Sequence, residues 1–402
     1  MRGRPIILAL IASVALVVGC GGSSDSAPSA HGRETRGTAT PGKASFEGDV
    51  IVADVTVNGI TGRLLVDTGS PLNLLGPDHF ALPVGQSRVG SVVVGGLTVV
   101  DVPVLGYLPS GDLSDGILGG GTLCQFVTTI DYRAATVTLG AIPDVAGVDS
   151  PGITAPFSLE GGGRGRFTTG DVLDFPATRI VVTAKIEGVE HSFVVDSGAS
   201  FAVVRKSLHD ALVADGRKEL PVDVSLVGGS ATANAFRLRS LEIGGAAVPA
   251  VVAAYPGSDD LLDAVTQEVH HPVDGLVGGT FLREFLFVID YPGRKLRLAR
   301  YGTRDHIHDA FSRIGVSLVF HTTGSHRYSI DQVFPGTDAQ TQGMKVGDYV
   351  VSVDAVALDP LDVTAADDAL RGVVGATHTV VLARAAGDVT LSVKTDDLLP
   401  LP

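Results

Sequence analysis

Two stretches of this 402-residue chain set a carboxylate at the end of an apolar run: Leu64-Leu65-Val66-Asp67-Thr68-Gly69-Ser70 and Phe193-Val194-Val195-Asp196-Ser197-Gly198-Ala199-Ser200. A carboxylate placed after buried apolar residues is costly unless it is hydrogen-bonded or paired. If the two lie face to face, they share a proton and titrate as a coupled pair. One then acts as a base toward a water while the other, protonated, donates to a carbonyl oxygen. Each glycine lets its turn bring backbone donors to the carboxylate, and the hydroxyl of Thr68 or Ser197 can bond across to the other half. That chemistry needs no metal and no cofactor.

The elements that must hold the pair recur in the same order in two parts of the chain. Val57-Asn58-Gly59 precedes Asp67 as Ile186-Glu187-Gly188 precedes Asp196, with eight residues from Gly to Asp in both. This reads as a hairpin turn feeding the aspartate strand. Ser91-Val92-Val93-Val94-Gly95-Gly96 then matches Ser240-Leu241-Glu242-Ile243-Gly244-Gly245. Finally Asp115-Gly116-Ile117-Leu118-Gly119-Gly120 through Ile130-Asp131-Tyr132 matches Asp274-Gly275-Leu276-Val277-Gly278-Gly279 through Ile289-Asp290-Tyr291, with 16 residues from first to last Asp each time. Residues 45–141 and 154–301 are therefore expected to be two copies of one β-rich unit, joined by a connector at 142–153. Helix is expected only in short segments such as Arg205 to Asp215. The run Gly161 to Gly165 lacks the Gly-Lys-Ser/Thr of a phosphate loop and reads as a flexible turn.

From Asp67 to Ser91 is 24 residues and from Asp196 to Ser240 is 44, so the second copy holds about 20 more there. The surplus includes Leu226 to Phe236, strand residues around a small polar tip, Gly228-Gly229-Ser230, which reads as a hairpin. After residue 303 the composition changes, and a third unit of strands and two short helical segments is expected over 308–397.

Composition bounds the rest. The chain is 45% hydrophobic and 18% charged, ample for cores, and its net charge of −14 disfavours nucleic acid as a partner. Arg2 and Arg4 precede an apolar run from Ile6 to Val18, long enough for a signal h-region and short of the roughly 20 residues of a spanning helix. Residues 1–19 are expected to be a signal peptide, and Leu16-Val17-Val18-Gly19-Cys20 resembles the bacterial lipobox, which implies lipid on Cys20. Residues 20–44, rich in small polar residues, are expected to be a flexible tether. With Cys20 lipidated, Cys124 has no disulfide partner within the chain and reads as a core residue. His270-His271 and His306/His308 lack a metal-site pattern and read as loop residues.

The paired turns, each with its apolar-apolar-Gly match (Ile117-Leu118-Gly119 and Leu276-Val277-Gly278), resemble the retropepsin-like aspartic peptidases of bacteria. The resemblance implies a mainly β fold, in which two duplicated β-barrel lobes form a pseudo-twofold aspartic protease. It also implies peptide-bond hydrolysis by a water that the Asp67/Asp196 dyad activates, supported by Thr68, Gly69, Ser70, Ser197, Gly198 and Ser200. A Gly-rich flap closes over substrate in that family, and Gly228, Gly229 and Ser230 are the candidates here. The first copy is too short to supply one.

Val333-Phe334-Pro335-Gly336-Thr337-Asp338-Ala339 followed by Gly343-Met344-Lys345-Val346-Gly347-Asp348-Tyr349-Val350 resembles a PDZ domain of the bacterial protease-associated kind, an α+β unit that binds peptide as an added strand. Its receiving edge would be Ile314-Gly315-Val316-Ser317-Leu318. The expected protein is an exported, lipid-anchored, monomeric endopeptidase acting on peptides or proteins. The alternative from another class is an inactive surface adaptor that binds peptides on the same fold.

Overall fold

The computed structural model describes residues 8–9, 34–47, 49–107, 114–140, 152–166, 172–226, 229–303 and 309–402. The chain is mainly β and divides into two compact units, residues 8–215 with 224–304 and residues 305–402 with 216–223. Among the described residues no helix is long and apolar enough to cross a membrane.

The larger unit contains two lobes with matching strand orders. In the first, strands Val50–Val57 and Ile60–Val66 form a hairpin closed by Asn58 and Gly59, both at positive φ. In the second, Arg179–Ile186 and Val189–Val195 do the same around Glu187 and Gly188. Two successive positive φ values are what a tight hairpin of the right twist requires, and they explain the glycine in each turn. The second strand of each hairpin runs parallel to the apolar-apolar strand of its lobe, Gly116–Leu118 or Gly275–Val277. A short strand after each aspartate, Asn73–Leu75 or Ala202–Val204, lies antiparallel on the other side. Leu64 to Val66 and Phe193 to Val195 are all buried, which is why these strands read as continuous apolar runs and not as alternation.

The lobes join through one continuous sheet. Val127–Asp131 pairs antiparallel with Phe285–Asp290, from Val127↔Asp290 to Asp131↔Leu286. Each of these strands continues outward into its own lobe, through Thr136–Leu139 to Gly42–Glu47 and through Lys295–Arg300 to Ile153–Pro156. One apolar cluster spans both lobes and includes Val66, Leu118, Tyr132, Val195, Val277 and Tyr291.

Several elements differ from the sequence expectations. The tether was expected to extend to residue 44, but Glu34–Gly37 pairs with Leu97–Gly106 and Gly42–Glu47 is a full strand. Their alternation is too weak to register as strand, and neighbouring backbone supplies the hydrogen bonds instead. The Gly161 to Gly165 run does not end as a turn: Gly163–Arg166 pairs with Val172–Phe175. The helix expected from Arg205 occupies Lys206–Val213, while a second one, Asp260–Val269, was not anticipated. It accounts for the longer spacing from Ser240 to Asp274, 34 residues against 24 from Ser91 to Asp115. Most of the leader, Cys20 and nearly all of the connector lie outside the described residues.

The C-terminal unit is one mixed-length sheet with two short helices, Asp338–Thr341 and Val363–Asp368. Its strand order is Ser312–Ile314, Gly387–Asp397, Thr377–Arg384, Tyr349–Val353, Tyr328–Val333, Val316–Phe320. The core holds Ile314, Val316, Tyr328, Ile330, Val350, Leu382 and Val393. Asp362 caps the second helix by accepting from the Ala365 N–H at 2.8 Å.

Candidate active site

The two aspartate turns meet where the lobes join. The Asp67 N–H donates to the Leu118 carbonyl and the Asp196 N–H to the Val277 carbonyl, each at 3.0 Å, so the apolar-apolar strand of each lobe fixes its aspartate backbone. Within each turn the carboxylate accepts from the glycine two residues on: Gly69 N–H to Asp67 Oδ1 at 2.7 Å and Gly198 N–H to Asp196 Oδ1 at 2.9 Å. A Cβ on Gly69 would run into the Asp196 carboxyl, and one on Gly198 into the Asp67 carboxyl. Each carboxyl therefore lies directly against the turn of the other lobe. Only glycine permits that approach.

The hydroxyls next to the aspartates cross between the lobes. Thr68 Oγ1 donates to the Val195 carbonyl at 2.9 Å and accepts from the Ser197 N–H at 3.0 Å. Ser197 Oγ donates to the Val66 carbonyl at 2.7 Å and accepts from the Thr68 N–H at 3.1 Å. Ser70 Oγ donates to the Leu72 carbonyl at 2.9 Å within its own turn, and the Ser200 carbonyl accepts from the Thr280 N–H at 2.8 Å, tying the second turn to the Gly279–Leu282 helical turn of its lobe.

Burial pushes both carboxyls upward in pKa, Asp67 well above the ordinary range through burial and the adjacent Asp196 charge. Asp196 is raised as well, burial outweighing a bond to Asp67, the Arg179 charge and backbone N–H groups. Among the described residues no donor group reaches the buried Asp67 Oδ2. One shared proton removes that deficit. Tyr132 and Tyr291, from the repeated Ile-Asp-Tyr segments, are buried near the pair, and burial drives both phenols up so that they stay protonated.

Arg179 was not singled out from the sequence. It is the first residue of its strand and 2% exposed, held by Glu268 through Nε to Oε1 at 3.1 Å and Nη2 to Oε2 at 2.8 Å. Its distance from the Glu187-Gly188 turn was the available signal, since antiparallel register makes it the strand neighbour of Asp196.

Among the flap candidates Gly228 lies outside the described residues, while Gly229 and Ser230 open the strand Gly229–Arg237, next to Leu220–Leu226 in the sheet. In the C-terminal unit Val316–Phe320 ends the sheet order, paired among the described residues with Tyr328–Val333. Ser317 and Leu318 there are partly exposed, whereas Val316 is core. Ile314, expected on that edge, belongs to a different strand: it pairs with Thr395, and its N–H donates to the Leu370 carbonyl at 2.7 Å. The Gly315 carbonyl accepts from the Phe334 N–H at 2.9 Å. A bend at Gly315 separates the two strands, which is why one apolar run serves both ends of the sheet order.

Residues 182–281 match the family model described as aspartyl protease. Comparison with curated proteins gives no match. Among solved structures the chain is similar to the aspartic proteinase from Irpex lacteus, at 15% identity and a TM-score of 0.45, covering 66% of this chain and 98% of that one. It is also similar to the photosystem II D1 C-terminal processing protease, at 21% identity and a TM-score of 0.21, covering 23% of this chain and 24% of that one.

Proposed function

We propose that this chain is an aspartic-type endopeptidase whose water-activating dyad is Asp67 and Asp196. The observation that carries the reading is the reciprocal seating of each carboxyl against the other lobe's Asp-Thr/Ser-Gly turn, with both carboxyls buried. A scaffold needs neither buried carboxylate. The match of residues 182–281 to the aspartyl protease model supports the same class.

In this reading the two carboxyls, both raised by burial, share one proton, and with that proton on Asp67 the charge is on Asp196. A water held between them loses a proton to Asp196 as its oxygen attacks the scissile carbonyl carbon. Asp67 gives its proton to the carbonyl oxygen, so the tetrahedral intermediate is a neutral gem-diol. Collapse moves a proton to the leaving nitrogen, breaks the C–N bond and restores one proton to the pair. The Thr68/Ser197 brace keeps the carboxyls aligned throughout.

In this reading the single flap comes from the second lobe, at the start of the strand Gly229–Arg237. Export and lipid attachment through Cys20 would place the enzyme at a bacterial membrane surface, as a monomer without cofactor. The C-terminal unit would act as a PDZ-like module, taking a peptide strand along Val316, Ser317 and Leu318 to recruit or gate substrates. The decisive experiment is cleavage of a peptide library by wild type, Asp67→Asn and Asp196→Asn. Either change should cut turnover by several orders of magnitude, since members of one catalytic unit do not contribute additively. Turnover surviving both substitutions would sink the mechanism.

A further inference from the structure

The two halves of the site are not electrically equal. Strands Val50–Val57 and Arg179–Ile186 are equivalent, each running into its hairpin turn, so Val50 and Arg179 occupy the same place in the two lobes. One step beyond the last ladder pair, Ile180↔Val195, Arg179 comes level with Asp196. Two steps beyond Val52↔Leu65, Val50 comes level with Asp67. Residues opposite one another in an antiparallel pair project to the same face of the sheet. The second aspartate thus has a buried guanidinium beside it where the first has an isopropyl group.

A guanidinium cannot discharge, and Arg179 is buried with its fork gripped by Glu268 at the C-terminal end of the Asp260–Val269 helix. Glu268 is 18% exposed, so the pair forms a line from the helix surface inward to the dyad. Among the described residues, ionisable groups placed around it include Glu160, level with Arg179 on its outer strand, the protonated phenols Tyr132 and Tyr291, and the Cys124 thiol near Tyr291. None of these phenols or thiols carries a charge at neutral pH.

Resting on the dyad assignment above, we propose that Arg179, held by Glu268, is a positioning residue for charge: it keeps the single negative charge of the dyad on the Asp196 side and extends the singly protonated state to lower pH. Asp67, facing Val50, is thereby left to hold the proton. Arg179 acts downward on both carboxyls, in line with a singly protonated state that reaches lower pH; the sidedness rests on the strand register. Glu268 opposes it by partly neutralising the guanidinium.

The two residues should therefore move the dyad in opposite directions. Peptide-cleavage rates are measured against pH for wild type, Arg179→Met, Arg179→Lys and Glu268→Gln. In parallel, the protonated-carboxyl infrared band that disappears in Asp67→Asn is titrated in each protein, which reads ionisation whether or not the protein turns over. Arg179→Met should move the acid limb and the band titration up by about one pH unit or more. Glu268→Gln should move both down, and Arg179→Lys should return them most of the way to wild type. If Arg179→Met fails to fold, the Glu268→Gln and Arg179→Lys titrations decide alone. Unmoved titrations, or movement of Arg179→Met and Glu268→Gln in the same direction, overturn the proposal. Loss of cleavage in every protein together with the expected band shifts would overturn the peptidase reading and leave this one standing.

Discussion

Thr68 and Ser197 bond to each other's turns in both directions: each backbone N–H donates to the other's hydroxyl oxygen, at 3.1 and 3.0 Å. Each hydroxyl also donates to a carbonyl of the opposite lobe. Removing one hydroxyl leaves a buried N–H and a buried C=O unpaired, at about 1–3 kcal/mol each. Thr68→Val should therefore lower unfolding stability by about 2–5 kcal/mol in urea titrations, with turnover falling in step, and Thr68→Ser should restore both. Equal stability of Thr68→Val and wild type would show that the brace is not what joins the turns.

The dyad should make the protein less stable as it ionises. Both carboxyls have folded-state pKa values above their unfolded ones, so their contribution is most favourable below about pH 4 and is lost as pH rises through the folded values. Asp67→Asn removes that loss. Its melting temperature should exceed that of wild type at neutral pH, and the two should converge in acid. A wild type that outlasts Asp67→Asn at pH 7 would contradict the raised carboxyls.

The repeated blocks made the two lobes legible because turn glycines and apolar-apolar-Gly strands have fixed spacing. Asp67 and Asp196 were legible as the oddity within them. Arg179 and Glu268 were not, since their meeting joins a strand start to a helix 89 residues away that no repeat announces. Glu34–Gly37 was missed for another reason: its residues are all exposed, and strand pairing without a buried face leaves no alternation to read. Ile314 was misplaced because a bend at Gly315 does not interrupt an apolar run.

A buried ion pair ties the lobes together. Asp49, just before Val50, meets Arg283, which follows the Gly279–Leu282 helical turn, and both side chains are buried. The equivalent places hold Thr178 and Cys124, whose side chains are uncharged at neutral pH. Arg283→Met would strand a buried carboxylate and should cost about 3–5 kcal/mol. Replacing both partners, Asp49→Leu with Arg283→Met, should recover a large part of that loss in a double-mutant cycle. Strictly additive losses would mean that the two side chains do not act as a pair.

In the C-terminal unit the sign of the pH effect reverses. Asp367 accepts from Arg313 and Arg371, and their charges hold its carboxyl down at about 2 despite its burial. A depressed carboxylate stabilises the fold above its unfolded pKa, and the gain is lost as pH falls through the folded value. Asp367→Asn should cost about 2 kcal/mol at pH 7 and little below pH 2. Unfolding of this unit followed from pH 7 to 1.5 gives the comparison, and a pH-independent difference would exclude the ionic origin.

The two cysteines of the chain should separate cleanly in a labelling experiment. Burial pushes the Cys124 thiol up to about 12, so almost no thiolate is present at pH 8 and native Cys124 should resist iodoacetamide. Cys20, if it bears lipid as proposed, has no thiol to alkylate. Protein recovered from the membranes of an exporting bacterium should therefore take up no label while folded and a single equivalent after unfolding in urea. Rapid uptake of label by the folded protein, retained in Cys124→Ala and abolished in Cys20→Ser, would show Cys20 as a free thiol and remove the lipid anchor from the proposal.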